Sequence, residues 1–142
     1  MSPLYRFLFS VHSFGRHTSI LILVLRIFFG IMLMSHGIHK WAHFDTLSPL
    51  FPNPLGLGPH LTLFLAIFAE LFCSIFIIFG FLFKPTLIPL IATMSTAFFI
   101  VQHASMSSGG ELAFIYLFML ILFLFIGPGR LSFDYILSKK FN

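Results

Sequence analysis

Four apolar stretches, near residues 19–42, 60–82, 85–104 and 111–127, constrain this chain more than any other feature it carries. About 20 helical residues at about 1.5 Å each cross the hydrocarbon core of a bilayer, and these runs are of that order. Only 8% of residues are charged and 58% are hydrophobic, against about a quarter charged in an ordinary soluble domain. The expectation is an all-α fold: an integral membrane bundle of four transmembrane helices, with residues 1–142 as a single domain. The four runs leave no length for a second domain, so any soluble catalytic partner has to be another chain.

The first run follows the basic residues Arg6, Arg16 and His17, as a signal peptide would. Its apolar region is too long and no small-x-small site follows, so it reads as a retained helix. Arg6, Arg16, Lys84, Arg130, Lys139 and Lys140 all fall in connections or ends on one side, with Lys40 at a helix end on the other. By the positive-inside bias both termini then face the cytoplasm. The net charge of +4 and the pI of about 9.7 therefore reflect topology and contact with anionic lipid. Nucleic acid is not an expected partner, because no basic-aromatic patch is present.

Between His43 and Pro59, on the outer side, Pro49, Pro52, Pro54, Gly56 and Gly58 predict a stiff, non-helical cap. Leu4, Phe7, Leu8, Val11 and Phe14 recur at helical spacing and predict an amphipathic segment over 4–14 lying on the membrane surface. Gly127 ends the fourth helix, and in the tail 128–142 Ser132 is placed to cap a short helix that finishes at Lys139 and Lys140.

Ionisable groups inside a membrane are costly and by default functional. On a helical wheel Arg26, His36, Lys40 and His43 share about a third of the first helix, bordered by Gly30 and Gly37, which would let a neighbouring helix approach closely. Ala66, Glu70, Cys73, Ser74 and Ile77 form a matching stripe on the second helix, and Ala92, Thr96, Phe99 and His103 on the third. Counted from the cytoplasmic ends, Arg26 lies about 10 Å deep, Glu70 about 18 Å and His36 about 26 Å, so Glu70 is expected to reach Arg26 or His36. Such a pair could serve only to make a buried charge tolerable. Alternatively His36, Lys40, Glu70, His103 and Glu111 line a pocket that opens outward and handles protons or a ligand. On that reading Glu70, His36 and Glu111 move protons, while Arg26, Lys40 and His103 hold the ligand.

His36, His39 and His43 follow helical spacing, and His60 and His103 stand at a similar level, which permits a metal or a bis-histidine haem but does not demand either. Zinc would require a defined ligand set with supporting partners, and there is no CxxCH motif. Thiol exchange needs two cysteines; the single Cys73 reads as a small packing residue. No phosphate-binding glycine loop, nucleophile elbow or dinucleotide fingerprint occurs.

The succession LRIFFGIMLMSHGIHKW, a Pro/Gly-rich loop, AELFCSIFIIFGF, a helix after Lys84-Pro85, GELAFIYL and GPGRLSFD resembles the DoxX family of small four-helix bacterial membrane proteins over roughly residues 22–135. The resemblance rests on Arg26, Gly30, His36, Gly37, Lys40, Ala69, Glu70, Gly80, Glu111, Gly127, Gly129 and Asp134, whereas His39, His43, His60 and His103 lie outside it. It implies a multi-pass protein of the bacterial cytoplasmic membrane associated with quinone-linked redox chemistry. Gly30, Gly37, Gly127, Gly129 and Asp134 are its structural positions. No cofactor is required by the sequence; a quinone, or another small reductant, is the ligand this reading expects, with haem or a metal disfavoured. A partner redox subunit and a homo-oligomer are the expected protein contacts, because no redox centre is evident in this chain. The contrasting expectation is a non-enzymatic scaffold that recruits a soluble partner; transport of a proton or small solute is a third, disfavoured by the lack of an inverted repeat.

Overall fold

With apolar side chains on nearly every face, helix–helix association here cannot rely on hiding apolar surface from lipid. It must come from close packing and polar ties. The computed structural model describes residues 3–141, and all the regular structure among them is helical: α1 (Pro3–Phe9), α2 (Arg16–Ala42), α3 (Phe44–Leu47), α4 (Pro59–Phe79), α5 (Phe83–Val101), α6 (Glu111–Ile126) and α7 (Phe133–Phe141). Helices α2, α4 and α5 are long and apolar enough to cross a membrane, and α6 is a shorter apolar helix.

The buried face of α2 is Ser19, Ile22, Arg26, Gly30, Leu33 and Gly37, a three-and-four spacing that makes one narrow seam. Its two glycines are contact points. A methyl group on Gly30 would collide with the Ile78 side chain, and one on Gly37 would come within 2.9 Å of the Leu71 backbone nitrogen and 3.1 Å of the Glu70 carbonyl carbon. The α2 backbone therefore lies directly against α4 at Glu70. The apolar core sits beside this seam, where Leu33, Cys73, Ile77, Phe83, Leu87 and Phe123 interlock. Large apolar side chains such as Phe28, Ile31, Phe64, Phe72 and Phe118 point outward, more than a water-soluble monomer exposes.

Three charges pin helix ends together at one end of the bundle. Gly80, at φ +67°, ends α4: its N–H bonds the Ile77 carbonyl and that of Phe81 bonds the Phe76 carbonyl. Carbonyls at this helix end then accept from Arg26, whose Nε and Nη2 donate to Ile77 and Ile78 at 3.2 and 3.0 Å and whose Nη1 donates to Pro128 and Leu131. Asp134 accepts the Leu82 and Phe83 N–H groups at 2.9 and 2.8 Å, at the start of α5. Buried Lys84 donates to the Phe7 carbonyl at 2.9 Å and the Ser10 hydroxyl at 2.8 Å, tying α1 to α5. Each charge faces the complementary end of a helix dipole.

Several boundaries differ from expectation. The amphipathic segment is helical only over Pro3–Phe9. Helix α4 stops at Phe79 because Gly80 turns left-handed. The cap expected to be non-helical begins with α3 and the tight helical turn Ser48–Leu50 before it becomes irregular. Ser132 does cap α7, accepting the Tyr135 N–H at 3.2 Å.

Candidate functional site

At the end of the bundle opposite the pinned charges, α2, α4, α5 and the proline-rich loop enclose a cavity of about 530 Å³. Its walls are apolar: Phe51, Pro54 and Leu57 come from the loop, Ala66 and Ala69 from α4, and Pro89, Ala92 and Ala97 from α5. Proline inside α5 cannot donate to the helix ladder, and Thr93, one turn on, donates its hydroxyl to the Pro89 carbonyl at 2.8 Å. Asn53 holds the loop by accepting the Gly58 N–H at 2.9 Å, and the Ser48 hydroxyl meets the His60 ring, which stacks on Phe44.

Polar chemistry enters this cavity through Lys40 and Glu70. Lys40 Nζ donates to Glu70 Oε1 at 2.6 Å. The Glu70 side chain is 4% exposed and that of Lys40 25%, so one member is sealed in protein and the other leads outward. Glu70 Oε2 is buried and finds no hydrogen-bond partner among the described residues. An unmet buried acceptor of this kind costs about 1–3 kcal/mol. The phenol of buried Tyr116, which interacts electrostatically with Glu70, is also unpartnered, and its ring stands edge-on to His36 with centroids 5.8 Å apart. A buried carboxylate oxygen, an ammonium and an apolar slot together suit a flat, largely apolar molecule bearing hydroxyl or carbonyl oxygens.

Two wide, π-type turns shape the site. One spans Ala69–Cys73 and carries Glu70; the other spans Thr96–Val101 and contributes Thr96, Ala97 and Val101 to the wall. Such turns carry an extra residue and often mark functional segments of helices. The second rotates everything beyond it: Phe98 turns inward at 5% exposure while Phe99 is 58% exposed. The inward stripe expected to run through Phe99 to His103 is therefore broken.

The sequence-predicted residues divide accordingly. Lys40 and Glu70 meet in the cavity, whereas half-buried His36 packs against Tyr116 and does not line it. Glu70 pairs with Lys40, not with Arg26 or His36. Arg26 is only 1% exposed and spends its guanidinium on backbone carbonyls at the far end of α4. His103, exposed at φ +50°, and exposed Glu111 lie off the cavity wall. Gly127 and Gly129 occupy the turn after α6 at positive φ, and Asp134 caps α5. His39 and His43 lie against each other on the surface with tilted rings, centroids 4.5 Å apart, and among the described residues no three His, Cys, Asp or Glu side chains converge as a metal site would require. Sequence reasoning passed over Phe51, which lines the cavity, and Tyr116, which lies off its wall but interacts electrostatically with Glu70. Phe51 could have been found from its place in the loop over the polar helix ends, its ring centroid 5.9 Å from Lys40 Nζ.

Comparison with known proteins gives a consistent picture. The DoxX family model matches residues 21–103, more than half of the chain. An uncharacterized membrane protein of Mycobacterium tuberculosis is 27% identical over 135 residues, covering 84% of this chain and 82% of that protein. An uncharacterized protein of Haemophilus influenzae is also 27% identical over 135 residues, covering 89% of each chain. No solved structure matches.

Proposed function

This chain belongs to the DoxX family, and we propose that it is an integral component of a quinone-linked redox system in a bacterial cytoplasmic membrane, with the Lys40–Glu70 cavity as its quinone or quinol site. Four helices span the bilayer in this reading, since α6 continues without a break from the wide turn Met106–Gly110 and residues 106–126 then extend roughly 30 Å. Both termini face the cytoplasm, and the cavity opens on the outer side.

The observation that carries the proposal is the unpartnered Glu70 oxygen in an otherwise apolar cavity of about 530 Å³. That volume lies within the usual 300–1,000 Å³ range of small-molecule sites. A quinol, when bound, supplies two electrons and two protons. Glu70 Oε2 is an acceptor for the hydroxyl proton, Lys40 a donor to the ring oxygen, and the phenol of Tyr116 a neighbouring donor or acceptor. Glu70 takes the two hydroxyl protons one after the other, and the partly exposed side of the cavity at Lys40 is where each leaves toward water. The proline-rich loop excludes bulk water from the ring, while a partner redox subunit accepts the electrons.

Photolabelling of membranes with an azido-quinone tests this placement. Label should fall on peptides covering 51–57 and 89–97 and be lost in Glu70→Gln. Label spread evenly over the lipid-facing helices, or unchanged in Glu70→Gln, would remove the cavity from consideration as the site.

One observation favours the alternative of a non-enzymatic scaffold. Arg26, Lys84 and Asp134 are all spent on internal helix ends, so much of the polar interior fixes geometry. In that reading the outer loop and the surface around α7 recruit the partner.

A further inference from the structure

A second, larger cleft of about 840 Å³ opens at the pinned end of the bundle, between α2, the end of α4 and α7. It shares no residue with the quinone site proposed above and does not depend on it. Leu23 and Ile27 of α2, Ile78 and Phe79 of α4, and Phe133 and Ile136 of α7 make its apolar walls. Phe133 and Ile136 remain 51% and 60% exposed, although α7 has a hydrophilic side and could have buried them.

The rim of the cleft is cationic. Arg130, Lys139 and Lys140 line it and are exposed, and its lining includes no Asp or Glu. Asp134, which does not line the cleft, accepts the Leu82 and Phe83 N–H groups. Arg130 is set in place by Phe14, whose carbonyl accepts at 3.5 Å, and by the Tyr135 ring 5.9 Å from its guanidinium carbon. The Arg26 guanidinium at the back wall donates to backbone carbonyls and lies within electrostatic reach of Asp134, so the uncompensated charge of the cleft is that of its rim.

An apolar slot continuous with the outer faces of α2 and α4, closed on its polar side by three cations with no Asp or Glu among its described lining residues, matches one class of molecule in both charge and shape. We infer that this cleft is a binding site for an anionic phospholipid, its acyl chain lying between α2 and α7 and its phosphodiester held by Arg130, Lys139 and Lys140. Basic pockets between membrane helices bind acidic headgroups, each cation near the surface strengthening the attraction about fivefold. A bound lipid also fills the gap under α7 and so fixes this helix against the bundle.

Fluorescence quenching by brominated lipids tests the site in the intact chain. Trp41, the only tryptophan, lies at the other end of α2, so a Trp41→Phe/Phe133→Trp variant reports from the cleft alone. In mixed vesicles brominated phosphatidylglycerol should quench this reporter with roughly tenfold or greater preference over brominated phosphatidylcholine. The preference should fall close to unity when Arg130→Gln, Lys139→Gln and Lys140→Gln are added. It should survive millimolar inorganic phosphate. Equal quenching by the two lipids, an unchanged preference in the triple variant, or its loss to phosphate would each overturn the inference. Because Lys139 and Lys140 are surface side chains, the Lys139→Gln/Lys140→Gln pair alone preserves the fold and should lower the preference severalfold.

Discussion

The Lys40–Glu70 pair joins a sealed carboxylate to a lysine that still reaches water, and this asymmetry predicts unequal consequences when either is neutralised. In Lys40→Met the carboxylate is left in a cavity whose walls are apolar, with both oxygens lacking a donor. Breaking a buried pair in this way costs about 3–5 kcal/mol. In Glu70→Gln the amide oxygen keeps an acceptor at the same place and the ammonium, 25% exposed, extends outward, so the expected loss is about 1–2 kcal/mol. The double variant Lys40→Met/Glu70→Gln should resemble Glu70→Gln, giving a coupling energy of about 3–5 kcal/mol, the whole of the Lys40→Met loss, in a double-mutant cycle. Reversible unfolding in mixed detergent micelles, followed by far-UV circular dichroism, supplies the four stabilities. A Lys40→Met loss no larger than that of Glu70→Gln, or a coupling below about 0.5 kcal/mol, would refute the idea that the pair is held in protein and not in water.

Three further outcomes follow from the packing. Gly37→Ala places a methyl against the α4 backbone and should cost about 1–3 kcal/mol while also lengthening the Lys40–Glu70 contact, visible as a smaller coupling when the cycle is repeated in that background. Arg26→Lys keeps the charge but cannot span the carbonyls of Ile77, Ile78, Pro128 and Leu131, so a loss of about 2–4 kcal/mol is expected in the same unfolding assay. Lys84→Met should release α1 alone: hydrogen exchange of residues 3–9 rises toward that of an unprotected peptide, while α5 keeps its protection.

Much of the fold was legible because helix length and apolar run length are set by the same bilayer thickness. The buried stripe of α4, from Ala66 through Glu70 to Ile77, also followed from small and polar residues recurring at helical spacing. What the sequence hid depends on where chains end or deviate. Arg26 was correctly placed inside, yet its partners are carbonyls that become available only where Gly80 stops α4 and the turn after Gly127 folds back. The depth count paired Glu70 with Arg26 or His36 because it treated side chains as points on straight rods. Side chains lean toward a helix's N-terminus, so Lys40, near the C-terminal end of α2, leans back into the bundle with a four-carbon stem long enough to meet Glu70. His103 left the expected face because the wide turn at Thr96–Val101 adds a residue that no periodicity in the sequence announces. Lys84 read as a loop charge, although it is buried beneath α1. Tyr116 was one aromatic residue among many until its ring was seen against His36.

The most direct test of the central claim is the quinone content of the protein purified from its native membrane in mild detergent, measured by mass spectrometry of the extracted lipid and normalised to chain. The account predicts a stoichiometric quinone in the parent protein and its loss in Glu70→Gln, with circular dichroism of the variant unchanged. Quinone at the background level of the surrounding lipid, or the same amount in parent and variant, would contradict it and move the Lys40–Glu70 cavity to a purely structural role.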